Sequence, residues 1–524
     1  MGWFSDLVKG AFFVAAVATG VGWFTGAIAK GAAFLGMAAG SAGAFFARQV
    51  VVGLVLGALS RATAKNPTGL LNQGITVTAR DAIASHRIIY GRMRVGGTIV
   101  YMEGTNNNEY LHMVIAIAGH EIDAIEKVYF NEEEVTFDAG GNVTSANYQD
   151  VARVQYKLGT DDQTAFADLV TESDNKWTNN HRLRGIACLY IRLKFDQDKY
   201  PNGIPNVTAL VRGKKVYNPA TTLTAWSANP ALCIADYLTD DKHGLGSSIN
   251  EIDTTLLANA VAVCNQSVSL AEGGTESRYT LNGAFESSAA PETVITQMLT
   301  AMSGSCVWSG GKWRIYAGAY RSPEVTFTED DLRAGMKIQT LVSRRELFNG
   351  VKGTFNAAVN NYIEADFPPV ISDTYKQQDN NEQILQNIQL PFTTSASMAQ
   401  RLAKIELLRA RQQITLVLPL KLVGLKAKVG DVIQITNTRL GWSGKPFEVI
   451  GFNISFADDV IGVDLELRET AGSVYDWNTD EESPFDPAPN TNLPNAFFVS
   501  PPTNLTLTST NVLAQDGTYQ TVLS

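Results

Sequence analysis

The sequence predicts an α+β fold that is predominantly β, divided into several domains and preceded by an apolar helical segment. After Pro67, short β-branched and aromatic runs alternate with glycine and asparagine turns, and a few capped helices lie between them. Residues 1–65 are instead rich in glycine and alanine. A chain of 524 residues exceeds a single core and corresponds to about three or four domains.

Residues 1–65 form an apolar head. Residues 10–29 carry no charge and are long enough for one bilayer crossing, whereas Lys30 and Arg48 separate the two shorter apolar segments that follow. A GxxxG spacing places two glycines on one helix face, which lets helices pack backbone to backbone. Each segment contains one such pair, and we predict helix packing or membrane contact at Gly22, Gly26, Gly36, Gly40, Gly53 and Gly57.

The head has several interpretations. A signal peptide would have an apolar region of about 7–15 residues with a cleavage site close behind it, whereas this head stays apolar to Ser60. Alanine and glycine are less hydrophobic than leucine, which favours a packed element inside an oligomer that later meets lipid over a resident membrane anchor. A loose apolar linker also fits the composition.

The charge of the chain is unevenly distributed. Residues 1–65 contain five basic side chains and one acidic side chain, a net +4, so the remainder must carry −14 to give the net charge of −10. An acidic body lacks the basic patch that binding to nucleic-acid phosphates requires. Four cysteines without a CxxC pair are predicted to be buried thiols rather than a disulfide scaffold, namely Cys188, Cys233, Cys264 and Cys306.

Periodicity and caps predict the main elements of the body. The strands with the strongest signal are His86–Ile89, Thr98–Met102, Tyr110–Ala118 and a half-buried strand through Val463, Leu465 and Leu467. Helices are predicted to begin at Pro230, at Pro291 and after Thr394 or Ser395. In the last helix Met398, Leu402, Ile405 and Leu408 form an apolar stripe that we interpret as core packing, with Arg401, Lys404, Arg409 and Arg411 facing out.

His112 and His120 flank an apolar strand, and the residues that begin at His120 are superficially similar to a metalloprotease motif. The residues His120–Asp123 read HEID, but Ala124 stands where HExxH requires its second histidine. We therefore predict that both histidines are structural or lie on the surface.

Other patterns of acidic residues also indicate no chemistry. Asp196–Gly203 has a carboxylate spacing like a calcium loop, but Tyr200 occupies a ligand position and the terminal glutamate is missing, which predicts a polar turn. The acids at Asp161-Asp162, Asp240-Asp241 and Glu132–Glu134 lie beside turns or helix starts. The sequence contains no GxSxG, no P-loop and no GxGxxG after a strand. We expect no catalytic residue, metal or cofactor, and hence no enzyme.

Several blocks of the body resemble the tip attachment protein J family, the central tail hubs of long-tailed phages. The resemblance covers about residues 75–480 and rests on order and spacing, since no single block is diagnostic. The blocks are Leu210–Pro219 leading into Trp226, Asn229–Gly246, Phe285–Trp313, Asn349–Phe355 and Ser395–Ile435.

The resemblance implies a homotrimeric, baseplate-like hub in which two tube-like β-barrel domains per chain make a pseudo-hexameric ring. It implies a first hub region at 66–220, with an inserted β domain, a second α+β region at 221–345 and a C-terminal barrel at 346–471 that carries helix 396–411. Composition adds a linker rich in proline and acid at 472–500. The alternating stretch 501–524, with its Asp516-Gly517 turn, is predicted to begin a fibronectin-type-III-like module.

The implied function is structural, at the distal end of the tail in the virion. Its implied partners are other copies of the chain, neighbouring tail-tube and tail-tip proteins, the tape measure protein and a host membrane, with phage DNA passing through the lumen without specific binding. The type member lacks the apolar head, which we predict to be a plug on the threefold axis. Two alternatives are a membrane-anchored adhesin or secretion component and a tail-tip cell-wall hydrolase.

Overall fold

The computed structural model describes residues 54–55, 78, 84–200, 203–457, 460–487 and 508–523. Its strands up to residue 277 are β1 Leu54–Val55, β2 Arg87–Tyr90, β3 Arg92–Val95, β4 Thr98–Thr105, β5 Tyr110–Ala118, β6 Ala124–Phe130, β7 Glu133–Val135, β8 Ala152–Leu158, β9 Ala187–Lys194, β10 Val207–Arg212, β11 Lys215–Asn218, β12 Leu223–Trp226, β13 Ser267–Ser269 and β14 Thr275–Ser277.

The strands that follow are β15 Gly283–Glu286, β16 Ser305–Ser309, β17 Lys312–Tyr316, β18 Val325–Phe327, β19 Lys337–Gln339, β20 Gly350–Ala357, β21 Ile363–Ile371, β22 Leu385–Leu390, β23 Thr415–Leu420, β24 Val432–Asn437, β25 Trp442–Ala457, β26 Val460–Glu469, β27 Ser509–Leu513 and β28 Tyr519–Leu523. The α-helices are α1 Ala167–Glu172, α2 Pro230–Thr239, α3 Thr254–Cys264, α4 Pro291–Thr300, α5 Asp373–Gln378 and α6 Ala396–Arg411. The predominantly β character predicted from the sequence is confirmed.

The first body is a sandwich of two four-stranded sheets. One sheet has the order β3-β10-β6-β7 and the other β4-β5-β9-β8. Both contribute to one core, in which Val128 and Phe130 of β6 are buried together with Ile115 of β5 and Leu189 of β9. The strands predicted near residues 98 and 110 are confirmed in this sandwich as β4 and β5. The strand predicted near residue 86 is confirmed as β2, which pairs with β15 in a separate two-stranded sheet.

Helices and a three-stranded sheet share a second core. This core joins α2, α3, α4 and α6 to the sheet β21-β20-β22. Helix α6 begins where its cap predicts, because the Ser395 side chain accepts a hydrogen bond from the Met398 amide at 3.2 Å. The predicted stripe is confirmed at Met398, Leu402 and Ile405, which are buried. Helix α3, which has its own Asp253 cap, was not predicted.

The prediction that the basic residues of α6 face out is wrong. Arg401 is only 4% exposed and pairs with Glu276, whereas Arg409 donates hydrogen bonds to Ser303 and to the Tyr475 hydroxyl. Lys404 pairs with Glu481. The charged face is covered because residues 472–487, at the start of the predicted linker, lie against the helix, with Val474 buried. A sequence pattern cannot report such a cover, since the segment follows about 60 residues later in the chain.

The last large sheet has the order β18-β24-β25-β26-β23-β19 around a third core. Across the described ranges no sheet closes into a barrel, so the tube-like barrels stay a prediction. The hairpin β27–β28 turns at Gly517, which has φ 81°, as its Asp-Gly signal predicts.

Most of the apolar head lies outside the described residues, and with it the six GxxxG glycines. Leu54 and Val55 are described, and they pair with Cys306 and Ser305 in an antiparallel strand. At these two residues the backbone is extended, which differs from the helix predicted for the head. Among the residues that the structure describes, no helix combines the length and the apolar character needed to cross a bilayer.

Candidate interaction surface

The hairpin β25–β26 has one apolar face that begins inside the third core. On β26 the side chains of Val463, Leu465 and Leu467 are fully buried, as their alternation predicts. Their cross-strand neighbours point to the same face, and Phe452 opposite Leu465 packs against this core. The base of the hairpin is therefore an ordinary half-buried pair of strands.

Towards its tip the same face emerges from the core. Ile454 lies opposite Val463 and Phe456 opposite Ile461 in the register of the hairpin. Phe456 is 76% exposed, Ile461 50% and Ile454 38%. The apolar alternation thus continues beyond the point where the described residues of the chain cover it.

A neighbouring turn enlarges this bare surface. The 3-10 segment Leu422–Lys426 packs on β26, where a Cβ on Gly424 would lie 2.8 Å from the Val463 Cβ, so only glycine allows this approach. The approach brings Leu422 and Leu425 beside the hairpin, and they are 52% and 51% exposed. We call Leu422, Leu425, Ile454, Phe456 and Ile461 the tip patch.

The chain itself covers the opposite face of the hairpin. Arg333 pairs with Asp464 on that face at 2.5 Å and lies over Gly462, where a Cβ would approach the Arg333 side chain to 2.4 Å. Burial, with the charge of Asp464 as a second cause, raises the pKa of Glu466. The tip patch is thus the side of the hairpin tip that the described part of the chain leaves uncovered.

Exposed lysines border the tip patch. Lys421, Lys426 and Lys428 all lie on the surface in or beside the 3-10 segment. Large exposed apolar side chains in one contiguous patch mark surfaces that contact another molecule. Burying each of them contributes about 1.5–3 kcal/mol relative to leaving it exposed. The tip patch is therefore suited to association with another molecule.

The residues singled out for chemistry have structural contacts instead. His112 lies 2.8 Å from both the Thr105 hydroxyl and the Tyr190 hydroxyl. His120 accepts a hydrogen bond from the Ile89 amide, and burial lowers its pKa to about 4. Both histidines are buried, so the alternative that they lie on the surface is wrong.

The predicted polar turn begins at Asp196, whose Oδ1 accepts hydrogen bonds from the amides of Asp198 and Lys199. Among the acid pairs, Asp240 pairs with Lys214 and Glu132 with Arg94. Within the described ranges no three His, Cys, Asp or Glu side chains cluster as metal ligands. Asp196 therefore stabilises a turn, and Asp240 and Glu132 form ion pairs.

The four cysteines are buried thiols, as predicted. Burial raises the pKa of Cys188, Cys264 and Cys306 to about 12, which leaves them protonated and unreactive.

Sequence reasoning missed the tip patch, although a signal was present. The alternation that predicts β26 runs back through Ile461, and Ile454 and Phe456 keep the same period on the preceding strand. The pattern reports an apolar face, but it cannot report where the core beneath that face ends.

Comparison with known proteins agrees with this fold. Residues 290–447 match the family described as "Putative phage tail protein". That range contains the Asn349–Phe355 block and α6. The tip attachment protein J of Escherichia phage SECphi27 is 25% identical over 288 residues, which is 50% of this chain and 24% of that protein. The chain thus spans about a quarter of the length of this relative.

A solved structure extends the likeness to most of the chain. A chain in the virion of a native gene transfer agent particle matches with a TM-score of 0.59 over 86% of this chain and 97% of its own length, at 13% identity. This match shows a shared fold. Together the comparisons show that the chain is similar to structural proteins of phage tails. More specifically, the chain is similar to tail-tip attachment proteins, and the resemblance predicted from the sequence blocks is confirmed.

Proposed function

We propose that this chain is the subunit of a trimeric hub that closes the distal end of a phage tail tube and opens for DNA ejection. The likeness to a tip attachment protein supports the location, and the tip patch supports the assembly. Three copies related by a threefold axis would each place the tip patch against a different surface of the next copy, which closes a ring. Such a ring would shield apolar side chains that the described residues of a single chain leave exposed.

The tip patch is the observation that carries this proposal. We expect the full-length protein to have three times its chain mass in solution, and Phe456→Asp to reduce that mass to one chain. Burying a carboxylate at a contact costs several kcal/mol more than burying the ring. Light scattering after size exclusion measures the mass, and circular dichroism shows whether the variant is folded.

A matched control separates the tip patch from a general effect of surface charge. Val359 is 75% exposed in the 3-10 turn that follows β20, away from the hairpin β25–β26, so Val359→Asp makes a similar change at a similar exposure. We expect the control to stay trimeric. A trimer that survives Phe456→Asp would remove the tip patch from the interface, whereas a wild-type protein that is monomeric at every concentration would contradict the hub.

The head, the lumen and the remaining partners complete the proposal. Three heads gather on the threefold axis as a plug, with Gly22 and Gly26 of each copy at the helix contacts, and enter the host membrane on triggering. The net −14 of the body suits an acidic lumen that repels passing DNA. The tube, the tape measure protein and receptor-binding parts beyond a fibronectin-like module dock around this ring, and the chain itself catalyses no reaction.

Dye-filled liposomes test the membrane step. The full-length chain is expected to release dye after mild heating that opens the trimer, and a chain that begins at residue 66 is expected to release none. Equal release by the two proteins would contradict a membrane role for the head.

A further inference from the structure

Two histidines meet at the junction between the first sandwich and the helical core. His86 directly precedes β2, and His243 follows α2. The Nδ1 atom of His86 lies 3.3 Å from the Nε2 atom of His243. The ring planes are inclined at 53°, so the two imidazoles meet through their nitrogens and not face to face.

The His86 side chain packs directly against the backbone at Gly119. A Cβ on Gly119 would lie 2.5 Å from the His86 Cβ and 2.9 Å from its Nδ1, so any other residue there would displace the imidazole. Ser287 fixes the backbone of His86 through two hydrogen bonds. The His86 amide donates to the Ser287 Oγ, and the Ser287 amide donates to the His86 carbonyl.

His243 is oriented by Asp240. One oxygen of this carboxylate accepts hydrogen bonds from the amides of Lys242 and His243, and the other lies 3.7 Å from the His243 Nδ1. Lys214 pairs with the same carboxylate at 2.7 Å. A carboxylate beside Nδ1 favours a proton on that nitrogen, which leaves Nε2, the nitrogen on the side of His86, unprotonated and able to bind a metal ion.

We propose that His86 and His243 together bind a divalent transition-metal ion of the zinc class. In a tetrahedral zinc site with bonds of about 2.0–2.1 Å, neighbouring nitrogens lie about 3.3–3.4 Å apart, which matches this pair. Imidazole is the ligand that zinc, copper and nickel ions share. The carboxylate behind His243 supplies the outer support that metal-binding histidines usually have.

The protein supplies two ligands, and water supplies the rest. Among the described residues no third His, Cys, Asp or Glu completes a cluster with this pair. Both ring nitrogens of His120 already have other contacts. Its Nε2 accepts a hydrogen bond from the Ile89 amide, and its Nδ1 lies 2.7 Å from the Glu121 carbonyl oxygen. His86 is exposed, so the remaining coordination positions face solvent. A bound ion would tie the start of β2 to the turn after α2.

Zinc titration of the full-length, chelator-treated protein tests this site. Calorimetry near neutral pH is expected to show one zinc ion per chain, with affinity reduced more than about tenfold in His86→Ala and in His243→Ala. His181→Ala is the matched control, since His181 is exposed and far along the chain, and it is expected to bind as the wild type does.

X-ray absorption of the zinc-loaded wild type provides a readout that does not depend on a folded variant. Two imidazole ligands at about 2.0–2.1 Å are expected. Absence of zinc binding by the wild type, unchanged affinity in both variants, or a spectrum without imidazole ligands would each overturn the proposal. None of these outcomes bears on the trimeric hub.

Discussion

Gly353→Ala is expected to destabilise the second core by several kcal/mol, on the order of 4 or more, and to prevent folding of much of the chain. Gly353 lies on the central strand β20, between Phe367 of β21 and Ile388 of β22. A Cβ added there would lie 1.8 Å from the Ile388 carbonyl oxygen and 2.8 Å from its carbon. Both atoms belong to the backbone, so β22 must move away and break its parallel pairing.

The measurement is urea denaturation followed by circular dichroism, with Gly335→Ala as the matched control. A Cβ on Gly335 meets nothing within 4 Å, so its replacement is expected to change stability by less than about 1 kcal/mol. If Gly353→Ala unfolds at the same urea concentration as the wild type, β22 does not pair with β20 as described.

Asp379→Asn is expected to cost about 3–5 kcal/mol, since it leaves the guanidinium of Arg411 buried without its carboxylate. The two side chains are 8% and 5% exposed and form a bidentate pair at the end of α6. Asn349 also donates to Asp379 at 2.9 Å, and Arg411 donates to the Phe348 carbonyl. The pair therefore joins α6 to the start of the Asn349–Phe355 block.

The ion pair also predicts a dependence on pH. The hydrogen bond from Arg411 is the main cause that lowers the pKa of Asp379; burial opposes it, and the hydrogen bond from Asn349 adds to it. A carboxyl whose pKa is lowered by folding stabilises the folded state fully at pH values above its pKa in the unfolded chain, about 3.9. This stabilisation is lost as the pH falls through its pKa in the folded state. The stability difference between wild type and Asp379→Asn is therefore expected to shrink below about pH 4.

A nearby exposed pair is the control for this effect. Arg344 and Glu382 are 60% and 64% exposed at 3.1 Å, so Glu382→Gln is expected to cost less than about 1 kcal/mol. Equal costs for the two substitutions would show that the Asp379 pair is as solvated as the surface pair.

The elements that the sequence predicts correctly are those decided by local chemistry. Helix α6 begins at Ser395 because a hydroxyl there satisfies a free amide, and β26 follows from its alternation. What the sequence does not predict depends on distant segments. Arg409 and Lys404 of α6 are covered by residues 472–487, which come much later in the chain. The tip patch is exposed because the core beneath it ends. The pairing of His86 with His243 joins residues that no local pattern relates.

The most direct test of the central claim is a cryo-EM reconstruction of the tail that carries this chain. The hub proposal predicts three copies around the tube axis at the distal end, with each tip patch buried against the neighbouring copy and the three heads on the axis. A copy number other than three, or a position along the tail away from its end, would contradict it.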